Sequence, residues 1–202
     1  KKLGIKLIID VTQAAGAIPI NVKNFKCDAL ICSGYKWLGG HGGVGLAVLS
    51  NELIKSTPLM PGWMGARNPF DISHQELDVA EGAKRFTQST MSYISLKGLE
   101  VSIQEILKIG VDNIDNHAQR LKRYFLSHLN KSNFQTFHQK NIPTSSHIVS
   151  IFDPKKNISR VAKLLSKNNI FCSIRNGYLR VSFAHYNNQS DIDKLLSILK
   201  ED

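Results

Sequence analysis

An acid and an amine stand at matching places near the start of this 202-residue chain: Asp10 closes the apolar run Leu7-Ile8-Ile9, and Lys36 follows a second run over residues 29–32. Both runs are short, β-prone and bounded by polar or glycine residues, so each reads as a buried strand delivering its functional group at its carboxyl end. Ligands bind at that edge of open α/β sheets. A carboxylate there suits the ring nitrogen of a heterocyclic cofactor, and a lysine suits its carbonyl. Pyridoxal phosphate accounts for both: the acid keeps the pyridine nitrogen protonated so that the ring accepts electrons, and the amine condenses with the aldehyde.

The surrounding elements must hold these groups in place. After the second run comes a glycine-rich stretch, residues 34–43, then a third probable strand over residues 44–49. The glycines let backbone approach a ligand closely, but no Walker pattern accompanies them. Residues 57–85 have no clean period and read as a long irregular segment. Helical spacing resumes with Leu96, Leu99, Ile103 and Ile106, and again with Val111, Ile114, Ala118, Leu121 and Phe125. Residues 141–202 have a different texture: a strand over 147–152, a helix near 158–165, a hairpin, and a last helix with Ser190 as its expected N-cap. Asn176-Gly177 is the preferred pair for a two-residue type I′ turn, which sets Arg175 opposite Tyr178 and Ser173 opposite Arg180. Strand alternation then puts Cys172, Ile174, Leu179 and Val181 on the apolar face and Arg180 and Ser182 on the other.

Two segments carry a family resemblance. Asp10-Val-Thr-Gln13-Ala-Ala-Gly16 and Ser33-Gly-Tyr35-Lys36 resemble the two signatures of the fold-type I, class V aminotransferase superfamily, which includes cysteine desulfurases and kynureninases. The resemblance implies that Asp10 pairs with the pyridinium nitrogen, that Gln13 hydrogen-bonds the ring hydroxyl, and that Lys36 is the catalytic lysine joined to the cofactor. It also implies that Ser33 contacts the cofactor phosphate, with Tyr35, at a position often held by histidine, able to do the same. Residues 85–90 are similar to the family's Arg-Phe-Glu-x-Gly-Thr segment, so Thr90 is expected to reach the phosphate bound by a neighbouring subunit; Thr87 and Ser89 depart from the pattern. Pro61-Gly62-Trp63 resembles a loop at the substrate entrance, which makes Trp63 a substrate-binding candidate. Leu179-Arg180-Val181-Ser182, followed by His185-Tyr186-Asn187, resembles the carboxy-terminal pattern in which an arginine grips the substrate α-carboxylate, a task suited to a planar bidentate donor. Desulfurases of the superfamily carry a nucleophilic cysteine on an extended loop before that arginine; here a tight turn stands instead and Cys172 is expected to face the core, which disfavours desulfurase activity.

The expected fold is therefore α/β: the carboxy-terminal part of a pyridoxal-phosphate transferase large domain, mostly parallel sheet with helices, over residues 1–110, then a linking helix and a small α+β domain over 111–202. The family's phosphate-cradling turn and early strands lie upstream of the resembling region, so the chain is expected to be part of a longer enzyme, to bind cofactor poorly alone and to expose a sheet edge. The expected reaction is class V amino-group transfer on an amino-acid substrate, with a kynureninase-like lyase or an epimerase as the alternative, in a homodimer. The charge of +10 would favour polyanions, but no arginine-rich run or aromatic-basic motif accompanies it, so no nucleic-acid partner is expected. No membrane span or metal site is expected either: Asp10 interrupts the first apolar stretch, and Cys27, Cys32 and Cys172 lack zinc or dithiol spacing. A reducing cytoplasm suits them. His41, His74, His117, His138 and His147 have no ligand spacing, and His185 is assigned no role.

Overall fold

A computed structural model describes residues 3–56, 58, 60–71, 73, 78–129, 133–137 and 146–201. His74 and His138 lie outside them. The chain divides into two compact units, residues 1–108 and 109–202.

The first unit is built on the two apolar runs. They form β1 (Ile8–Asp10) and β2 (Ala29–Ser33), paired in parallel with Asp10 opposite Ile31. The next strand, β3 (Gly45–Leu49), runs antiparallel to β2, setting Ser33 opposite Gly45. The connection over residues 34–44 contains turns and no helix, and a connection of that kind returns the chain antiparallel, whereas a parallel neighbour needs a crossover. The described strands of this sheet thus form one parallel and one antiparallel pair. Buried Asp28 fastens the start of β2: its carboxylate accepts the Leu7 N–H at 2.9 Å, and its carbonyl accepts the Ser50 N–H at 2.8 Å. Ser50 caps the short α1 (Asn51–Ile54), accepting the Leu53 N–H. The irregular segment holds two single 3-10 turns, Trp63–Gly65 and Gly82–Phe86, and α2 (Tyr93–Ile109) follows. Leu30 and Cys32 are buried on one face of the sheet, while Ile8 and Ile31 remain exposed on the other. Among the described strands β1 and β3 are the edges of this sheet.

The second unit is a four-stranded antiparallel sheet in the order β4-β5-β7-β6, made of β4 (Gln135–Thr136), β5 (Ile148–Phe152), β6 (Ser173–Arg175) and β7 (Tyr178–Ser182). The helices α3 (Val111–Leu129), α4 (Ile158–Lys167) and α5 (Gln189–Glu201) bury their apolar stripes against one face. The core is continuous: Phe125 and Leu129 of α3, Val161 and Leu165 of α4 and Leu199 of α5 meet Ile151, Leu179 and Phe183. The hairpin has the expected register, Arg175 opposite Tyr178 and Ser173 opposite Arg180, with Asn176 and Gly177 both at positive φ, +48° and +79°. The last helix is capped differently from expectation. Asn188, not Ser190, is its cap: the Asn188 side chain accepts the Asp191 N–H while the Asp191 carboxylate accepts the Asn188 N–H, a reciprocal pair that Ser190, one residue inside the helix, cannot make.

A buried histidine gives this unit a pH signature. His147 precedes β5 and is 3 % exposed; burial is the main cause that lowers its pKa to about 4, with Arg180 and Lys122 opposing its charge and Asp115 favouring it. The imidazole is neutral in the fold, so from neutral pH down to the unfolded value near 6.5 it has no pH-dependent effect. Between there and pH 4 the unfolded chain takes a proton that the fold refuses, and stability falls by a total of about 3 kcal/mol. Urea unfolding followed by circular dichroism between pH 7 and pH 4 is expected to show this slope, and His147→Gln to flatten it; equal slopes in the two proteins would refute the assignment.

Candidate active site

At the carboxyl ends of β1 and β2 the two strand-end loops are fastened to each other. The Val11 N–H donates to the Ile31 carbonyl at 2.8 Å, and the Ser33 N–H donates to the Thr12 hydroxyl oxygen at 3.0 Å. The Trp37 indole N–H donates to Gln13 Oε1 at 3.2 Å. Gly16 closes the first loop at φ +87°, where a β-carbon would stand 2.7 Å from the Trp37 carbonyl oxygen, so a residue with a side chain would be strained and would force the loops apart. On the other side the lysine loop is seated on α2: a β-carbon at Gly40 would stand 2.9 Å from Leu99 Cδ1.

An open groove of about 470 Å³ lies along this edge, and Asp10, Thr12, Ser33 and Tyr35 are among the residues that line it, with β3 residues 45–47 opposite. Thr12 fixes the acid. Its backbone N–H donates to Asp10 Oδ1 at 2.8 Å, and hydrogen bonding from its hydroxyl first and its backbone second holds the Asp10 carboxyl below the usual carboxylate range. Asp10 is therefore an anion at neutral pH. Lys36 and Gln13 are not among the lining residues; the Lys36 amine lies over the ring of Tyr35, which does line the groove, 5.0 Å from its centre. Cys32 also lines the groove, and its thiol is pushed up, by burial first and by the Asp10 charge second.

The other residues expected from sequence lie elsewhere. Trp63 sits on its 3-10 turn with its ring edge-on to Phe70 at 5.7 Å, and Thr90 is exposed in the stretch before α2. Their segments meet: Gly62 lies directly against the Gln88 backbone, and Gly65 against the carbonyls of Arg85 and Thr87. Arg180 lies in the second unit, on β7 between Ser173 of β6 and Ser150 of β5. Cys172 is half-buried, packed against the core of that unit, and lines an open pocket with Arg180; burial pushes its thiol up to about 11, which makes it a poor nucleophile. His117 is engaged at 2.9 Å with the Asn187 carbonyl. Sequence reasoning passed over Thr12 and Trp37. The signal for Thr12 was Asp-x-Thr at a strand end, where an acid accepts the N–H two residues on. Among the described residues no group of three or more His, Cys, Asp or Glu could hold a metal, and no helix is long and apolar enough to cross a membrane.

Fold and groove together define an α/β protein with an open groove at its strand ends, lined by an ionised acid. The chain belongs to the class-V aminotransferase family, whose model matches residues 1–195. It is 25 % identical to a probable cysteine desulfurase of Pyrococcus abyssi, over all of this chain and 53 % of that protein, and 24 % identical to a kynureninase of Bacillus mycoides, over 99 % of this chain and 48 % of that one. The chain spans about half the length of the curated relatives it matches. Its fold is shared with the apo cysteine desulfurase of Thermococcus onnurineus NA1, with a TM-score of 0.86 at 24 % identity over 98 % of this chain and 52 % of that one. It is also shared with a C-DES mutant that holds glycine covalently linked to its PLP cofactor, with a TM-score of 0.83 at 20 % identity over 94 % and 50 %.

Proposed function

We propose that the protein containing this chain is a pyridoxal-phosphate enzyme that transfers the amino group of an amino acid. The observation that supports it most is the fastening of the two strand ends, beside a groove that an ionised Asp10 lines with Ser33 and Tyr35, the ring over which the Lys36 amine lies. These residues fit the cofactor: an anion for a protonated ring nitrogen, hydroxyl donors for a phosphate, and a primary amine for an aldehyde. When bound, pyridoxal phosphate supplies a ring that withdraws electrons from the substrate carbon attached to nitrogen. Asp10 would hold negative charge for the ring nitrogen. Ser33 and Tyr35 would donate to phosphate oxygens, and the Lys36 amine would take and return the proton at the substrate carbon. Arg180 would clamp the substrate carboxylate as a bidentate donor, and Thr90 would serve a neighbouring subunit in a homodimer. A cytoplasmic setting suits three free cysteines.

A second reading rests on names that several relatives carry. Cysteine desulfurases and a kynureninase are among them, so a lyase is the alternative, with an epimerase behind it. Within the lyases we rank desulfurase chemistry last, because burial pushes the half-buried Cys172 thiol up to about 11 and a two-residue turn stands where those enzymes carry an extended loop. Borohydride reduction of the intact protein with pyridoxal phosphate, followed by peptide mass mapping, tests the proposal. The label is expected on Lys36; a label on another lysine, or none, would overturn it.

A further inference from the structure

We infer that Trp37 is a positioning residue that fixes which end of the Gln13 amide is offered to the cofactor. The inference rests on the reading of Gln13 as a cofactor contact and goes beyond it. A glutamine amide has an acceptor end and a donor end, and either can turn toward a ligand. An indole N–H can only donate. At 3.2 Å from Gln13 Oε1, it commits the oxygen to Trp37 and turns the NH₂ end away. A donor is what a ring oxygen bearing negative charge requires.

Two independent contacts hold together the backbone segments that carry Gln13 and Trp37. Gly16 rests on the Trp37 carbonyl with no room for a β-carbon, and Ser33, three residues before Lys36, is tied to Thr12, the residue before Gln13. Trp37 follows Lys36 directly, so the amide orientation and the lysine position are set by one short loop. An amide free to flip would present its oxygen to the cofactor oxygen for part of the time, and like partial charges would face each other.

The test is a mutant cycle on the intact protein, read as the dissociation constant for pyridoxal phosphate and the absorbance of the bound cofactor. Gln13→Ala is expected to weaken binding about five- to tenfold, the worth of one hydrogen bond. Trp37→Phe, which keeps an aromatic ring and loses the N–H, should weaken it severalfold and shift the absorbance. In the Gln13→Ala background, Trp37→Phe should add nothing, because Trp37 acts through Gln13. Gln13→Glu, which still accepts from the indole but cannot donate, should bind no better than Gln13→Ala, and it serves even where Trp37→Phe does not fold. Equal losses from Trp37→Phe in both backgrounds would mark Trp37 as a packing residue and overturn the inference, as would wild-type affinity in Trp37→Phe or Gln13→Glu. Failure of the wider reading looks different: the wild-type protein would then take up no pyridoxal phosphate at Lys36, and both would fall.

Discussion

Lys36→Ala is expected to abolish covalent capture of pyridoxal phosphate and to cut turnover of an amino-acid substrate by about 10³-fold or more. Two functions are lost together, the attachment point and the proton carrier, and a positioned acid-base group alone is worth about 10²–10⁴. Lys36→Arg should fare no better, because a guanidinium keeps its proton throughout the accessible pH range and cannot act as the nucleophile. Folding should survive both changes, since the Lys36 side chain is exposed and lies over Tyr35 rather than in the core. Kinetics with a panel of amino acids, alongside circular dichroism, would check this. Turnover within tenfold of wild type in Lys36→Ala would remove the lysine from the chemistry.

Why some of this was legible in the sequence and some was not has a physical basis. Residues 29–32 could be read as a strand because β-prone apolar residues in a short run between turn formers have few other stable fates. The hairpin at Asn176-Gly177 was legible to the residue, because two successive positive-φ positions restrict both the turn type and the register. Local chemistry decided these elements. The direction of β3 depended on whether the glycine-rich connection contained a crossover, and composition alone does not settle that. Ser190 lost the cap to Asn188 because both carry capping side chains within two residues, and only the reciprocal Asp191 contact separates them. Thr12 and Trp37 were missed for a related reason: their work is between loops more than twenty residues apart in sequence, where no periodicity points. The chemical residues were named from their types. The residues that hold them at their stations were visible only once the two loops stood side by side.

That division of labour predicts the outcome at the acid. In Asp10→Asn the side-chain oxygen can still accept the Thr12 N–H that meets Asp10 Oδ1 at 2.8 Å, so the loop should keep its shape and the fastening of Thr12 to Ser33 should persist. Only the charge is gone. Cofactor affinity should therefore fall modestly, within about tenfold, while turnover falls by about 10²–10³, the scale of losing one preorganised electrostatic contact to a group whose charge the reaction uses. The pH profile carries independent information. Because Thr12 holds the Asp10 carboxyl below the usual carboxylate range, protonation of Asp10 should not limit activity anywhere in the ordinary working range. Thr12→Val, which removes the hydroxyl but keeps the backbone N–H, should raise the Asp10 carboxyl toward the ordinary carboxylate range, a shift read by NMR titration of that carboxyl. An Asp10 titration unmoved in Thr12→Val would remove Thr12 from the stabilisation of that anion, and full turnover in Asp10→Asn would mean that the anion at the end of β1 is a strand cap and that the electron-withdrawing ring, if bound, draws its counter-charge from elsewhere.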